Sequence, residues 1–564
     1  MIRALAAALA ALALLPPVAR AHATLEATTP ERAARLKSVP EQVTLRFNEP
    51  VEAQFGAVRV FDSRGREVQA GRAFHPDDRG AAVAVRLRDG LGDDGYTVTY
   101  RVVSADSHPV SGGFVFVVGD ATAPATTVAD LLDDDSGPVT GTAFAVVRAV
   151  QFAAIALGLG APLFALACWL PGVRAAAGAG AAWDAASVAF AGRLRALLLT
   201  AAAAGALSAA LGVVLQGAVA GGTAVWDALD ASVIGDVLGT RFGLVWGLGL
   251  LAWLLVGALA AARAPAPAVA VPLAALAALP ALGGHASVQS PVALLLPANV
   301  LHVIAMSAWL GGVAVLVLAL RAATARLEAG ERTRLLAAVV GRFSALAGVA
   351  IALLLASGIV QGVVEVRTLT NLVETAFGRA VLVKIVVFAG IVTLGFMNRR
   401  CLLPALEHAA RDGTSPGRAG LLLRRTLRIE LVLGVAALAA TGALAGYAPS
   451  VAESGGPFST RADIGPARLE VTVDPARVGP NEMHVYLFDR RDGSQFDATK
   501  ELTVTAALPD KRIAPIELEP TKAGPGHYVV SGAALGVKGT WRIELAARVS
   551  DFDEYRAQLN VPIR

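Results

Sequence analysis

The polarity pattern of the chain changes period twice. Residues 22–120 alternate apolar and polar side chains in short runs, at 43–47, 57–61, 82–87, 96–103 and 113–118, between turns rich in Gly, Pro and Asp. Neighbouring side chains on a strand point to opposite faces, so this stretch predicts a small β-sandwich. From 141 to 448 the alternation gives way to long apolar runs near 143–168, 190–215, 241–262, 267–283, 294–320, 342–362, 377–398 and 428–448. About 20 apolar residues carry a helix across a bilayer, so the pattern predicts an α-helical membrane domain of about eight spans. The run at 267–283 is the shortest and is flanked by Pro. Alternation returns in 450–564, at 468–473, 483–488, 501–505, 527–530 and 540–546, and predicts a second β-sandwich. Residues 121–140, made largely of Ala, Thr, Asp, Gly and Pro, read as an acidic linker.

Composition supports this multidomain reading. Of 564 residues, 55% are hydrophobic, and the mean hydropathy is +0.58. Residues 1–21 read as a signal peptide: Arg3, an apolar stretch from Ala4 to Leu15, and a small-x-small cleavage site at Ala19-Arg20-Ala21. The net charge of +4 is too small to suggest a nucleic-acid partner. Arginines concentrate in the connections after the first, third, fifth and seventh spans, whereas Asp227, Asp230, Asp236, Glu365 and Glu374 occupy the opposite ones. The positive-inside rule then puts the Arg-rich loops in the cytoplasm. The expected location is the bacterial plasma membrane, with both β-domains extracytoplasmic. Cys168 and Cys401, the only cysteines, lie beside spans and make neither a disulfide framework nor a C-x-x-C site.

Cleavage after Ala21 would leave His22 as the first residue. An N-terminal histidine offers its α-amine and its imidazole Nδ1 to one ion, a chelate suited to Cu(II) with its tetragonal nitrogen and oxygen coordination. Asp106 and His108, at i and i+2, project to one side of a strand or extended loop and would complete the square. Inside the helices, polar groups are costly and tend to be functional. His302 lies roughly 12 Å below the outer end of its span at about 1.5 Å per residue, and Met306 is one turn further in on the same face. That pair would pass copper toward a softer site suited to Cu(I), with His285 as a further candidate on the path; the alternative is that His302 pairs with a helix neighbour and Met306 is packing. Arg148, Gln151, Gln216, Gln361, Glu365 and Lys384 also fall toward the outer ends and suggest a polar funnel; packing hydrogen bonds would give the same text. No nucleotide-binding motif is present, so ATP-driven pumping is disfavoured. Met483-His484 and His527 in the tail are weaker candidates, for which a structural role is preferred.

These motifs resemble known families. Residues 22–118 are similar to the CopC family of periplasmic copper-binding proteins through His22-Ala-Thr-Leu, Phe47-Asn-Glu49-Pro-Val and Ser104-Ala-Asp106-Ser-His108-Pro-Val-Ser-Gly-Gly-Phe. The helical region resembles CopD through Leu301-His302-Val-Ile-Ala-Met306-Ser-Ala-Trp309-Leu-Gly-Gly312, Phe377-Gly-Arg-Ala-Val-Leu-Val-Lys384, Asn398-Arg399-Arg400 with Pro404, and Arg428-Ile-Glu430-Leu. The tail resembles the YtkA-like domain through Gly479-Pro-Asn481 and the strand at Trp541. The resemblance implies Cu(II) held by His22, Asp106 and His108, with Glu49 as an axial ligand or a support behind the ligands. Some CopC proteins bind Cu(I) through a Met-rich loop; no Met lies between 22 and 120 here, so a Cu(I) site in this domain is not expected.

The reading that follows is a non-enzymatic copper transport and homeostasis protein. It would capture Cu(II) outside the membrane and pass copper inward through the helices, its partners being copper, the bilayer and periplasmic copper donors or acceptors. The alternative is a tethered periplasmic binder or relay without transport. A third reading is a redox enzyme, with copper at the amine–imidazole site or haem between His285 and His302.

Overall fold

The computed structural model describes residues 23, 25–32, 34–76, 80–105, 109–121, 131, 137–176, 179–446, 458–474, 476–491 and 495–563. These form two compact units, one helical and one containing both β regions.

The N-terminal region has nine strands: β1 Leu25–Thr29, β2 Arg35–Leu36, β3 Gln42–Phe47, β4 Val51–Glu52, β5 Val58–Phe61, β6 Gln69–Phe74, β7 Ala82–Leu87, β8 Gly95–Ser104 and β9 Pro109–Val118. One sheet runs β1-β3-β7-β6 and the other β2-β9-β8-β4, with β5 also on β8. Their inner faces bring Val43, Leu45, Phe47, Val98, Tyr100, Phe114 and Phe116 into one core, as the alternation predicts. β1, β2, β4 and β6 are additional to the strands read from sequence. β6, Gln-Ala-Gly-Arg-Ala-Phe, is an edge strand whose residues are exposed or half-buried, so it carries little apolar signal.

The helical unit contains α1 Val139–Ala175, α2 Ala181–Gly221, α3 Arg241–Ala261, α4 Ala266–Leu282, α5 Val292–Leu318, α6 Ala329–Glu365, α7 Ala376–Arg411 and α8 Gly417–Leu444. Seven are long and apolar enough to cross a membrane; α4 is the shorter apolar helix, with Pro272 and Pro280 inside it. Every apolar run therefore forms a helix. The helices overrun the runs, because polar residues such as Arg193, Arg195, Arg332 and Arg334 continue the helical turn where hydropathy falls. α2, at 41 residues, is about 60 Å long at about 1.5 Å per residue, twice the ~30 Å hydrocarbon core. Helix also begins at Gly137, inside the stretch read as linker, since Pro138 in a first turn forfeits no helical hydrogen bond.

α1, α5 and α7 each contain one π-helical segment, at Ala165–Trp169, Ser307–Gly311 and Asn398–Leu402; such bulges are frequent at functional sites. The segment in α5 abuts α1. A Cβ on Gly160 would strike the Ser307 carbonyl and stand 2.6 Å from Gly311 Cα, and a Cβ on Gly311 would strike the Ala156 carbonyl. Small residues thus let the two backbones touch, the usual device where helices meet in lipid. Trp169 stacks on Phe190 at 3.9 Å beside this contact, in a core that also includes Phe164, Trp309 and Phe343.

The C-terminal region comprises β10 Phe458–Ile464, β11 Ala467–Asp474, β12 Gly479–Asp489, β13 Glu501–Leu508, β14 Ile513–Leu518, β15 Thr521–Gly524, β16 His527–Leu535, β17 Gly539–Arg548 and β18 Glu554–Ile563. The sheets are β10-β11-β12-β16-β15 and β14-β13-β17-β18, closed over Val471, Met483, Val485, Trp541, Ile543 and Val561. Arg32 of the N-terminal domain pairs with Asp474 at 2.9 Å, joining the two β-domains.

Gly311→Val should force α1 and α5 apart and cost about 1–3 kcal/mol, seen as a lowered unfolding temperature of the purified protein in detergent. Gly235→Ala, where a Cβ meets nothing, should leave that temperature unchanged.

Candidate functional site

Of the expected capture residues, His22, Asp106 and His108 lie outside the described residues. Glu49 is described. It is half-buried, and its Oε1 accepts a 2.6 Å hydrogen bond from Ser104 Oγ, the last residue of β8. The register sets Leu25 opposite Phe47 and Val51 opposite Ser104. Glu49 therefore sits beside the end of β8 and near the start of β1. Among the described residues, no group of three or more His, Cys, Asp or Glu converges as a metal cage.

The intramembrane candidates are all described. His302 Nδ1 lies 2.9 Å from Ser357 Oγ on α6. Ser357 Oγ is also 2.7 Å from the Leu353 carbonyl, to which it donates. A hydroxyl has one proton. Ser357 thus holds the His302 ring at Nδ1, the donor and acceptor roles depending on the tautomer, and Nε2 takes no part in that contact. Metal-binding histidines are commonly held in this way, by a hydrogen bond at the other ring nitrogen. The ring also passes over Gly358, where an added Cβ would stand 3.7 Å from His302 Cε1.

A second rung lies one turn outward. Asn299 Nδ2 donates to Gln361 Oε1 at 3.1 Å, and Gln361 Nε2 donates to the Ser357 carbonyl at 3.2 Å. Ser357, Gln361 and Glu365 recur every four residues and so share one face of α6. That spacing marks the face in the sequence, but Ser357 and Asn299 were not singled out there. Lys384 of α7 interacts electrostatically with both Glu365 and His302, and His285 with Glu365. The residues of the expected funnel separate into different surroundings. Gln361, Glu365, Lys384, His285 and His302 belong to one polar group, whereas Arg148 lies 3.7 Å above the Phe144 ring and Gln151 pairs with Ser208 at 2.6 Å. Met306 is half-buried on the His302 face and packs against the apolar clusters on both sides of α5.

Beyond Met306, the far end of α5 reaches a cavity of about 200 Å³ whose lining includes Trp309, Ser344, Asn398, Arg399 and Glu430. Glu430 is 3% exposed, and its Oε1 accepts a 2.6 Å hydrogen bond from Asn398 Nδ2.

In the tail, the two weaker candidates meet. His484 Nδ1 is 3.1 Å from His527 Nε2, and His484 Nε2 is 3.0 Å from Glu482 Oε1. Tyr486 stacks on His527 at 4.2 Å. Burial, and then the neighbouring His484, push the His527 imidazole well below its usual range.

Comparison with known proteins follows the same division. Residues 25–119 match the family model of the CopC domain, 139–293 that of the copper resistance protein D-like N-terminal domain, and 337–444 that of copper resistance protein D. The copper transport protein CutJ of Bacillus subtilis is 28% identical over 562 residues, 96% of each chain. YobA of Escherichia coli is 32% identical over 105 residues, 19% of this chain and 85% of that protein. Among solved structures, CopC from Methylosinus trichosporium OB3b is 27% identical and covers 19% of this chain and 98% of its own, with a TM-score of 0.16.

Ser357→Ala should release the His302 ring at a cost of about 1 kcal/mol, measured by thermal unfolding in detergent, while Ser357→Thr, which keeps the hydroxyl, should lose less.

Proposed function

The chain belongs to the CopC/CopD family of copper transport and resistance proteins, and from that premise we propose that it captures Cu(II) outside the membrane and passes copper inward through its helices. The N-terminal domain would hold the ion with the α-amine and imidazole of His22, with Asp106 and with His108. Glu49, tied to Ser104 at the end of β8, would serve as an axial ligand or a support. The reading is favoured by the register that brings the start of β1, Glu49 and the end of β8 to one end of the sandwich.

The observation that carries transport is His302. With Nδ1 held by Ser357, Nε2 would be the atom offered to copper, and Met306 would follow one turn inward with a thioether suited to Cu(I). The thioether would bind Cu(I) once an external one-electron reductant had reduced the captured Cu(II); without one, the ion would pass as Cu(II) on the nitrogen ligands. The bilayer and exported copper donors or acceptors are the partners this reading requires. His285 joins through Glu365 at the outer group.

Copper accumulation in cells at limiting external copper tests the reading. Wild type should raise intracellular copper several-fold over cells lacking the protein. His302→Ala should abolish the gain while copper binding by the N-terminal domain persists, and His108→Ala should weaken capture and reduce the gain. If His302→Ala accumulates copper like wild type and only His108→Ala changes copper binding, the protein is a tethered copper binder.

A further inference from the structure

The cavity at the inner end of α5 holds a carboxylate that the capture site and the His302 path do not use. Glu430 lies mid-helix in α8 and is 3% exposed. Ionisable groups at membrane depth are rare and costly and usually mark an ion or proton pathway. A chain of hydrogen bonds from α8 and α7 reaches it. Thr426 Oγ1 lies 2.7 Å from Asn398 Oδ1 and also within reach of the Leu423 carbonyl at 2.9 Å, and Asn398 Nδ2 donates to Glu430 Oε1 at 2.6 Å. Across the cavity stands Arg399, whose Nη1 donates to the Ser344 carbonyl at 3.1 Å. Among the described lining residues, Arg399 and Glu430 are the charged ones.

The donor set argues against a copper site. It is carboxylate, amide and hydroxyl, without imidazole, thiolate or thioether, and a guanidinium shares the space. Soft and borderline copper ions prefer the donors that are missing, and a fixed cation repels them. A proton has no such requirement. It needs a carboxyl group, a donor to steady the anion, and water to hop along. About 200 Å³ has room for several waters at ~30 Å³ each.

We propose that Glu430 is a proton-carrying group: it releases a proton to the cavity as copper traverses the helical region and takes one back afterwards, so that copper movement is coupled to proton movement. The inference rests on the transport reading above. A positive ion arriving along α5 lowers the cost of an ionised carboxylate, and the carboxylate offsets the charge of the arriving ion. The proton and the copper then exchange with little change in the charge of the buried region.

The test uses the full-length protein in vesicles that trap a pH dye and, separately, a copper dye. Copper is added outside as Cu(II) and, with ascorbate, as Cu(I). Wild-type vesicles should show a change in lumen pH that scales with copper entry and is absent from protein-free vesicles. Glu430→Gln should lower the ratio of protons to copper at least fivefold, a ratio that simple loss of folded protein leaves unchanged. Asn398→Ala keeps the carboxyl but removes its donor, so the proton is held more tightly and the pH profile of copper entry should move up by about one unit. Copper entry without a pH change, or an unchanged ratio in Glu430→Gln, overturns the inference alone. No copper entry into wild-type vesicles overturns the transport reading and this inference with it.

Discussion

The helical region depends on the contact between Gly160 and Gly311. Lipid gives helices no hydrophobic reason to associate, so their packing rests on close van der Waals fit. Here two backbones approach until neither position has room for a side chain. The contact falls at the π-helical segment of α5, immediately after Met306. It therefore sets the rotation of α5 and, with it, the direction in which His302 and Met306 face. A bulge held against a neighbour's backbone can persist in a membrane because its displaced carbonyls are buried in protein rather than exposed to hydrocarbon.

On that frame the polar groups divide by depth. Toward the N-terminal end of α5, α5 and α6 exchange side-chain hydrogen bonds through Asn299, Gln361, His302 and Ser357, with Glu365 and Lys384 nearby. At the other end of α5, a carboxylate and a guanidinium share a cavity. Between them lie Met306 and the aromatic packing around Trp309 and Phe343. The chemistry thus runs from imidazole and amide, through a thioether, to a carboxylate paired with an amide, so that the softest donor stands between two harder groups.

Much of this was legible in the sequence, for reasons particular elements make plain. Each strong alternation, such as 82–87, became a strand because one face had to be buried. Each apolar run became a helix because an unpaired backbone is too costly in lipid. Weak edges such as β6 stayed hidden, since a strand with few buried residues has no periodic signature. His302 and Met306 were visible as costly exceptions in an apolar span. Ser357 was not, because a hydroxyl inside a helix can satisfy itself on the preceding carbonyl and gives no sign of a partner 55 residues away. The pairing of His484 with His527 was equally invisible, depending on the register of β12 against β16. Asn398 and Glu430 stood in the sequence as matched motifs; their hydrogen bond emerges only when α7 meets α8.

The ion pair between Arg32 and Asp474 joins domains drawn from opposite ends of the chain. It turns a linear polypeptide into a closed loop: the two side chains keep only 23% and 11% exposure, and a largely buried pair is screened by salt much less than an exposed one. The clasp should therefore hold over a wide range of ionic strength, keeping the two ends of the chain together in dilute and saline surroundings alike.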